Sequence, residues 1–457
     1  MPPPVRTADA HYHFHIYDYP ASVPFKLSPA QPGGLQFYSM VQDLQALVVT
    51  ATVNQVPNPQ LANVGVAVNG DGVARSIQAL SFGGPAVLGA TPEIVITGGI
   101  HAREWVAPEM AYLLAEYLIR NYAHAPVGPY QTNIHNLLQT RRIHILPLVN
   151  PNGNRYSVAS ANQDARLWRK NRRVLPTTAA SWLQAVAPGG PTNPPFQNAQ
   201  INAGACDYDV PEYDPDNGIP PAAPSLHTIP LAINEIGVDL NRNFTTPAYG
   251  YSPGPDHSSA HSEEANYFGT EAASEGETQN LEAWLFGLAN LGTSIDYHSF
   301  GKLILYPTEV SNVLGRVNGN YRRLGEVLQR LLRPSWLWPW QTADYQLGTP
   351  RQLVHYDATG TLADHIALQN VAARGFVIEL DPDSGQGAAG FMLPPTQIRS
   401  VFEKNICGAL ALITAAGQQT TFQNRTVCCC FNRRTISSGE NVYVGWNVFG
   451  RGNRLPA

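Results

Sequence analysis

Four side chains of the kinds that bind metals or move protons stand in or just after apolar runs of this chain. His101 and Glu104 follow one such run, His298 closes a second, and Glu379 lies inside a third. An unpartnered carboxylate would be costly to bury in a run of that kind. Two imidazoles and one carboxylate brought together at strand ends form a site for a divalent metal, and a further carboxylate beside them can handle protons. The pattern predicts a zinc hydrolase.

The spacing of the first two residues suits a shared ion. Three positions separate His101 from Glu104, so both side chains can reach one metal from a single turn, while His298 comes from far along the chain. Zn²⁺ favours nitrogen and oxygen ligands in tetrahedral geometry, and catalytic sites leave one position for water. The tetrapeptide by itself is common by chance and would indicate an ordinary helix surface.

The elements around His101 favour the metal site. Glu93 to Gly98 has the composition of a strand that ends in glycines. Beyond the motif, apolar residues recur with helical spacing at Met110, Leu113, Leu114, Tyr117 and Leu118. A strand, a ligand-bearing turn and a helix place the motif at the carboxyl end of a strand, where open α/β sheets bind ligands.

Six motifs along the chain resemble those of one family, in the same order. They are residues 99–105, 149–153, 166–170, 237–244, 298–299 with 305–307, and 376–380 with 390–394. The family is that of the zinc metallocarboxypeptidases, which includes the pancreatic carboxypeptidases A and B, and the resemblance covers roughly Phe37 to Gly417. It implies an α/β fold with a mixed, mostly parallel central sheet and helices on both faces, consistent with the alternation of strand and helix patterns.

The resemblance also implies a catalytic set. It places one zinc ion on His101, Glu104 and His298, makes Glu379 the general base, and gives Arg169 the task of polarising the scissile carbonyl. The chemistry is coherent without the family name. Zinc lowers the pKa of bound water towards about 7, a carboxylate can carry that proton to the leaving amine, and a guanidinium that keeps its charge suits an oxyanion.

Further residues are assigned to the substrate by the same resemblance. Asn241 and Arg242 would hold the terminal carboxylate, for which a planar bidentate donor is suited. Tyr356 would cap the bound residue, and Arg103 would line the approach to the carbonyl. Asp239 would orient the first zinc histidine, and such partners fix the tautomer of a ligand. Taken singly, Tyr356 and Arg103 would pass for ordinary residues.

Two positions give conflicting indications about which C-terminal residue is removed. Ala363, seven after the capping tyrosine, is small and neutral and points to large neutral or apolar residues. Glu309, eleven after the last zinc histidine, stands where some relatives with a basic preference carry an acid. Arg351 or His355 would neutralise that acid if they shared the pocket wall. We expect a preference for large neutral side chains.

The span of the motifs predicts one large domain, although the length alone would allow about three. We expect an N-terminal extension at 1–36, a catalytic domain at 37–417 with an insertion at 174–233, and a C-terminal extension at 418–457 that forms a β-hairpin. The insertion lies between Arg169 and Asn241, so it is expected to restrict the cleft. Predicted helices are Tyr38–Val49, Glu277–Leu288, Asn318–Leu332 and Gln397–Thr414, and predicted strands are Ile94–Gly98 and Ile143–Val149.

Composition narrows the partners and the compartment. A net charge of -5 gives no reason to expect nucleic acid or an anionic membrane as partner. The sequence has no long apolar span and no signal-like N-terminus, which predicts a cytoplasmic protein, or a secreted one if the N-terminus is truncated. About 36 residues precede the family match, too few for a folded prosegment. Five cysteines, three of them consecutive, are expected to be reduced thiols.

Peptide or protein C-termini are the expected substrate, and two alternatives remain open. One is a hydrolase on the same scaffold that acts on cell-wall peptides or N-acyl amino acids. The other is an inactive homologue that only binds peptides. The clamp of Asn241, Arg242 and Tyr356 favours ordinary C-terminal trimming, and an intact Glu379 argues against an inactive protein. The sequence does not determine the oligomeric state.

Overall fold

The computed structural model describes residues 14–17, 37–68, 74–85, 91–123, 133–159, 164–172, 237–250, 265–309, 319–332, 344–369, 374–416, 428–435 and 441–448. The predicted insertion at 174–233 lies outside these residues. The strands of the described residues are β1 Phe14–Ile16, β2 Phe37–Ser39, β3 Gln60–Val68, β4 Ala74–Gly83, β5 Glu93–Gly98, β6 Arg142–Leu146, β7 Leu291–Gly301, β8 Leu303–Leu305, β9 Gln346–Gly348, β10 Arg374–Asp383, β11 Cys428–Thr435 and β12 Asn441–Val448. The α-helices are α1 Met40–Val53, α2 Val106–Asn121, α3 Ile134–Thr140, α4 Pro151–Ala159, α5 Gly276–Phe286, α6 Gly319–Leu331, α7 Pro350–Leu353, α8 Leu362–Gln369 and α9 Pro395–Ala415.

Eight strands form the central sheet, in the order β3-β4-β6-β5-β7-β10-β8-β9. The pairs β6–β5, β5–β7, β7–β10 and β8–β9 are parallel. The pairs β3–β4, β4–β6 and β10–β8 are antiparallel. The sheet is therefore mixed and mostly parallel, which confirms the predicted fold class.

Helices cover both faces of this sheet, and each face has its own apolar core. Successive side chains of a strand point to opposite faces, and β5 follows that rule: Ile94 and Ile96 belong to one core, while Val95 belongs to the other. The first core is completed by residues of α1, α2, α6 and α9. The second is completed by residues of α5 and α8, among them Leu281 and Ile366.

The parallel strands bring the predicted ligands to one edge of the sheet. β5 and β10 both lie beside β7 and run parallel to it. Their carboxyl ends therefore meet, as open α/β sheets require for a binding crevice. His101 follows β5, and His298 and Glu379 lie near the carboxyl ends of β7 and β10.

The helix predicted after the His101 motif is present as α2, but it is buried on almost every side rather than along one stripe. The reason is that α1 and α9 pack against it while it rests on the sheet. Even the carboxylate of Glu109 is enclosed, at 1% exposure. Apolar spacing identified the helix correctly and underestimated how much of it is covered.

The N-terminal part is less separate than the sequence indicated. β1 pairs in parallel with β2, and Phe14 and Ile16 belong to the core of the large domain. The predicted first helix is preceded by β2 and begins only at Met40, because the Ser39 side chain caps it by accepting from the backbone N–H of Gln42. Residue 37 is thus no boundary of the packed core.

At the other end of the chain, β11 and β12 pair antiparallel, which is the arrangement of the expected hairpin. Cys407, in α9, is buried. None of the described helices combines the length and the apolar character needed to cross a membrane.

Candidate metal centre

His101, Glu104 and His298 converge as the spacing predicted. One ligand atom from each lies within 4.8 Å of the others, and all three residues are buried. Within the described residues, no other group of three or more His, Cys, Asp or Glu side chains is so placed. The turn after β5 supplies the first two ligands and β7 supplies the third, so strand pairing makes the site.

The contacts inside this cluster fit a cation. Nδ1 of His298 lies 3.1 Å from Nδ1 of His101 and 3.2 Å from a carboxylate oxygen of Glu104. Nδ1 of His101 lies 2.7 Å from the other oxygen of Glu104. Two imidazole nitrogens that face each other cannot both carry a proton at that distance. A positive ion shared by the two nitrogens and the carboxylate satisfies all of them, and this donor set is one that zinc prefers.

Asp239 joins the first histidine to Arg169. One oxygen of Asp239 lies 3.2 Å from Nε2 of His101, and the other accepts from Nε of Arg169 at 2.9 Å. The backbone N–H of Asn241 also donates to Asp239, at 2.9 Å. These contacts set Asp239 beside the outer nitrogen of His101 and bring Arg169 to the centre, and the role of Asp239 towards a zinc ligand stays a prediction.

Burial and charge act against each other on the acids of this cluster. Burial raises the pKa of the Glu104 carboxyl, but the charges of His101 and His298 outweigh it and hold the pKa well below its ordinary value. Burial likewise raises the pKa of Asp239, and Arg169 and His101 more than reverse the effect. Both carboxylates therefore stay ionised and available to positive partners.

Glu379 lies directly beside this cluster. It is half-buried on β10, and the register of the parallel pair sets it opposite His298 of β7. On the other side of β10 it faces Leu303 of β8. The register thus sets this carboxylate next to the candidate metal ligands, on a strand that is paired on both sides.

The predicted carboxylate clamp is partly assembled by a short 3-10 turn at Leu240–Arg242. Asn241 accepts from the backbone N–H of Leu362 at 3.0 Å, which brings the start of α8 to the clamp. Nη1 of Arg242 donates to the carbonyl of Asn241 at 2.9 Å. Tyr356 is half-buried in the segment between α7 and α8. Its position over a bound residue remains a prediction.

Glu309 and Ala363, the two residues with conflicting indications about the substrate, are both buried, with Glu309 at 1% exposure. The Glu309 carboxylate accepts from Thr246 Oγ1, from the backbone N–H of Ala248 at 3.0 Å and from that of Gly360 at 3.3 Å. Glu309 therefore ties the loop after Arg242 to the loop before α8.

Arg103, which the sequence placed on the approach to the centre, packs its guanidinium over the ring of Phe391, 4.1 Å from the ring centroid. Its carbonyl accepts from Nη1 of Arg166 at 2.7 Å, and Arg166 stacks on Trp105, 3.5 Å from the ring centroid. The arrangement stacks the guanidinium groups of two arginines on aromatic rings.

Two partners of the ligands were not singled out from the sequence. The backbone N–H of Ser299 donates to Glu104 at 3.1 Å, and Asp296 contacts His298 at 2.8 Å. Asp296 precedes His298 by two positions on one strand, so both side chains point to the same face. That alternation was the available signal.

Two buried glutamates, Glu275 and Glu277, accept hydrogen bonds from Asn171, two residues after Arg169. Nδ2 of Asn171 donates to Glu275 at 2.9 Å and to Glu277 at 3.2 Å, while its Oδ1 accepts from the backbone of Val238 at 2.8 Å. Burial, and then the charge of Glu275, raise the pKa of Glu277 from its ordinary 4.5 to about 7. Folding thus favours the protonated form of Glu277.

This arrangement predicts a pH effect on stability. Since the pKa of Glu277 is higher in the folded state, its protonation contributes stability that is fully present below about pH 4.5. That contribution, about 1–3 kcal/mol, is lost as the pH rises through about 7. Glu277→Gln should remove this component, so the variant should gain stability relative to the wild type between pH 5 and 7.5. Urea unfolding at both pH values measures it. Glu326→Gln, on the surface of α6, is the control, and an equal pH response in the wild type and Glu277→Gln would contradict the prediction.

Comparison with known proteins assigns the sequence to a family. The sequence model of the family described as zinc carboxypeptidase matches residues 64–407. Zinc carboxypeptidase A 1 of Anopheles gambiae is 25% identical over 70% of this chain and 56% of its own length. Carboxypeptidase O of Bos taurus is 24% identical over 71% of this chain and 66% of its own length. The chain thus spans less than two thirds of each of these relatives.

The fold has counterparts among solved structures. The crystal structure of thrombin activatable fibrinolysis inhibitor superposes with a TM-score of 0.58 and 19% identity, covering 84% of this chain and 75% of the other. The carboxypeptidase A from Helicoverpa armigera gives a TM-score of 0.54 and 20% identity, over 85% and 78% of the two chains. At these identities the likeness establishes the architecture.

Proposed function

The chain belongs to the zinc carboxypeptidase family, and from that we propose that it is a zinc-dependent carboxypeptidase that hydrolyses the C-terminal peptide bond of peptides or proteins. One observation carries the proposal. His101, Glu104 and His298 form a buried cluster of ligand atoms, and Glu379 stands opposite His298 on the adjacent strand. Together they supply three metal ligands and a neighbouring base, which a hydrolase of this kind needs.

We assign each of these residues a role in hydrolysis. Zinc held by His101, Glu104 and His298 would supply the Lewis acidity that makes water a nucleophile near neutral pH. Glu379 takes the proton released as the oxygen of water bonds to the carbonyl carbon. As the carbon–nitrogen bond breaks, Glu379 delivers that proton to the leaving amine nitrogen.

Arg169 is assigned to the developing oxyanion. Its Nε is engaged with Asp239 at 2.9 Å, which fixes the plane of the guanidinium. A guanidinium keeps its charge at any physiological pH. In a largely buried site, where Arg169 is 8% exposed, such a fixed charge stabilises an oxyanion more than it would in water.

Recognition of a free C-terminus is assigned to Asn241, Arg242 and Tyr356, with Arg103 on the approach. Arg242 is 4% exposed and can offer two parallel N–H groups to a carboxylate. The backbone N–H of Leu362 donates to the Asn241 side chain, so the start of α8 holds it in place. A clamp fixed in this way favours substrates that end in a carboxylate over internal peptide bonds.

We further propose that large neutral or apolar C-terminal residues are preferred, as Ala363 suggests. The competing indication came from Glu309. Its carboxylate already accepts from Thr246, Ala248 and Gly360, and these donors use three of about four lone-pair directions. Arg351 does not bear on the charge of Glu309, because its guanidinium pairs with Asp357.

Replacing Glu309 should therefore change stability more than selectivity. For Glu309→Gln we expect the ratio of kcat/KM for peptides ending in Phe and in Lys to stay within about threefold of the wild type. We expect the free energy of unfolding to fall by about 1–3 kcal/mol as buried donors lose their acceptor. Ala363→Asp is the matched control, since an acid there should raise Lys release. A tenfold or larger change of this ratio in Glu309→Gln would contradict the prediction and show that Glu309 contributes to selection of the C-terminal residue.

The proposed function is tested by incubating the protein with peptides of mixed C-terminal sequence, with and without a zinc chelator. Release of single C-terminal amino acids that the chelator stops and added zinc restores is the expected result. The residues released also report the preference. Zinc binding without such release, accompanied by cleavage of cell-wall peptides or N-acyl amino acids in a parallel panel, would overturn the proposal in favour of another hydrolase of the same scaffold.

A further inference from the structure

The two ring nitrogens of His298 have different surroundings. Nδ1 faces the ligand cluster, 3.1 Å from His101 Nδ1 and 3.2 Å from Glu104. Nε2 faces away from it, 2.8 Å from a carboxylate oxygen of Asp296. The amide nitrogen of Asn241 is also 3.4 Å from Nε2. It is a donor, and the contact to Asp296 is shorter and complementary, so Nε2 is the nitrogen that carries the proton.

Asp296 is itself held in position. Its second oxygen accepts from Oγ1 of Thr97 at 2.7 Å. Thr97 is the register partner of Asp296 across the parallel pair of β5 and β7. Both residues are buried, with Thr97 at 1% and Asp296 at 3% exposure. The carboxylate thus spans two strands, with one oxygen on the threonine and the other on the histidine.

The same arrangement holds the other histidine. His101 directs Nδ1 towards Glu104, while Nε2 lies 3.2 Å from Asp239. The two imidazoles therefore have one aspartate each behind them, from different parts of the chain. Such a hydrogen bond fixes the tautomer and ring orientation of a metal ligand and makes the ligating nitrogen more basic.

We propose that Asp296, supported by Thr97, is a positioning residue that holds His298 as the Nε2-protonated tautomer and so presents Nδ1 to the metal. This inference rests on the proposed zinc enzyme. A purely structural role for Asp296 makes a different prediction. It would affect the stability of the zinc-free protein and leave the intrinsic zinc affinity of the folded protein unchanged.

The test measures zinc dissociation constants by competition with a chromophoric chelator for the wild type and the variants Asp296→Ala, Asp296→Asn and Thr97→Val. Asp296→Ala should bind zinc roughly 10- to 100-fold more weakly. Asp296→Asn should lose less, because an amide oxygen can still accept from Nε2. Thr97→Val alone should weaken zinc binding. Added to Asp296→Ala it should have no further effect, because both substitutions break the same chain of contacts from Thr97 through Asp296 to His298.

Thr293→Val is the matched control. Thr293 is a buried threonine on β7 whose hydroxyl donates to the carbonyl of Leu412 at 3.2 Å, away from the cluster. It should lower the unfolding temperature without changing zinc affinity. Nitrogen-15 NMR of the zinc-bound proteins adds a second readout, because the Nε2–H proton of His298 should exchange with solvent faster in Asp296→Ala than in the wild type.

The inference would be overturned if Asp296→Asn and Thr97→Val fold and bind zinc as tightly as the wild type. In that outcome Asp296→Ala either binds zinc within about twofold of the wild type or does not fold. A wild-type protein that binds no zinc would overturn the proposed function instead. The two failures are thus distinguishable.

Discussion

Glu379→Gln is expected to bind zinc as the wild type does and to lose roughly 10²- to 10⁴-fold in kcat for release of a C-terminal residue. Glutamine keeps the size of the side chain and cannot accept the proton of the attacking water. The position is specific, because the strand register sets Glu379 opposite His298, a proposed metal ligand. Steady-state kinetics on a peptide with a large neutral C-terminal residue, beside metal analysis of the same sample, measures both quantities.

The control for this change is Glu403→Gln. Glu403 lies on α9, where it pairs with Arg399 at the surface. It should leave kcat and zinc content unchanged. If Glu379→Gln kept more than a tenth of the wild-type kcat, the proton would have to be handled by another group, and the assignment of Glu379 as the base would be wrong.

His298→Ala is expected to reduce zinc binding by more than roughly 10²-fold and to abolish chelator-sensitive hydrolysis. Four-ligand structural zinc sites release about 10–16 kcal/mol, so one ligand corresponds to about 3 kcal/mol. The variant also leaves the ring of His101 without its neighbour 3.1 Å away. Zinc content after dialysis and activity with added zinc are the measurements.

A thermal readout separates loss of zinc from loss of fold. A ligand that binds only the folded state raises its stability with concentration, so zinc should raise the unfolding temperature of the wild type and not of His298→Ala. His144→Gln is the control, since His144 is a buried imidazole that contacts Ser81 at 2.8 Å outside the cluster. It should be less stable and still respond to zinc. A normal zinc response in His298→Ala would exclude His298 as a ligand.

Much of the architecture could be predicted because local patterns carry it. Apolar spacing located α2, and the strand pattern at Ile94 to Gly98 located β5, which begins one residue earlier. Helices predicted at Glu277–Leu288 and Gln397–Thr414 are found within two residues of their ends. Boundaries were less certain because caps decide them, as Ser39 does for the first helix.

The hydrogen-bond partners of Glu309 and Arg351 could not be predicted from the sequence. The sequence left open whether Arg351 or His355 neutralises Glu309. In the structure the guanidinium of Arg351 contacts Asp357, and the carboxylate of Glu309 accepts from Thr246 and two backbone groups. Spacing from a motif indicates which wall a residue belongs to. It does not indicate which hydrogen bonds a buried side chain makes.

The sequence by itself determined the kinds of ligand, their order along the chain and the strands and helices that carry them, because each depends on neighbouring residues. Only the tertiary structure decided that His15 of β1 lies between Glu109 and Asp43, and that Asp296 stands behind His298 with Thr97. Except for the Asp296–His298 pair, these contacts join residues that are 28 to 199 positions from each other in the sequence. Strand register and the need to satisfy buried polar groups decide them, and neither can be read from local spacing.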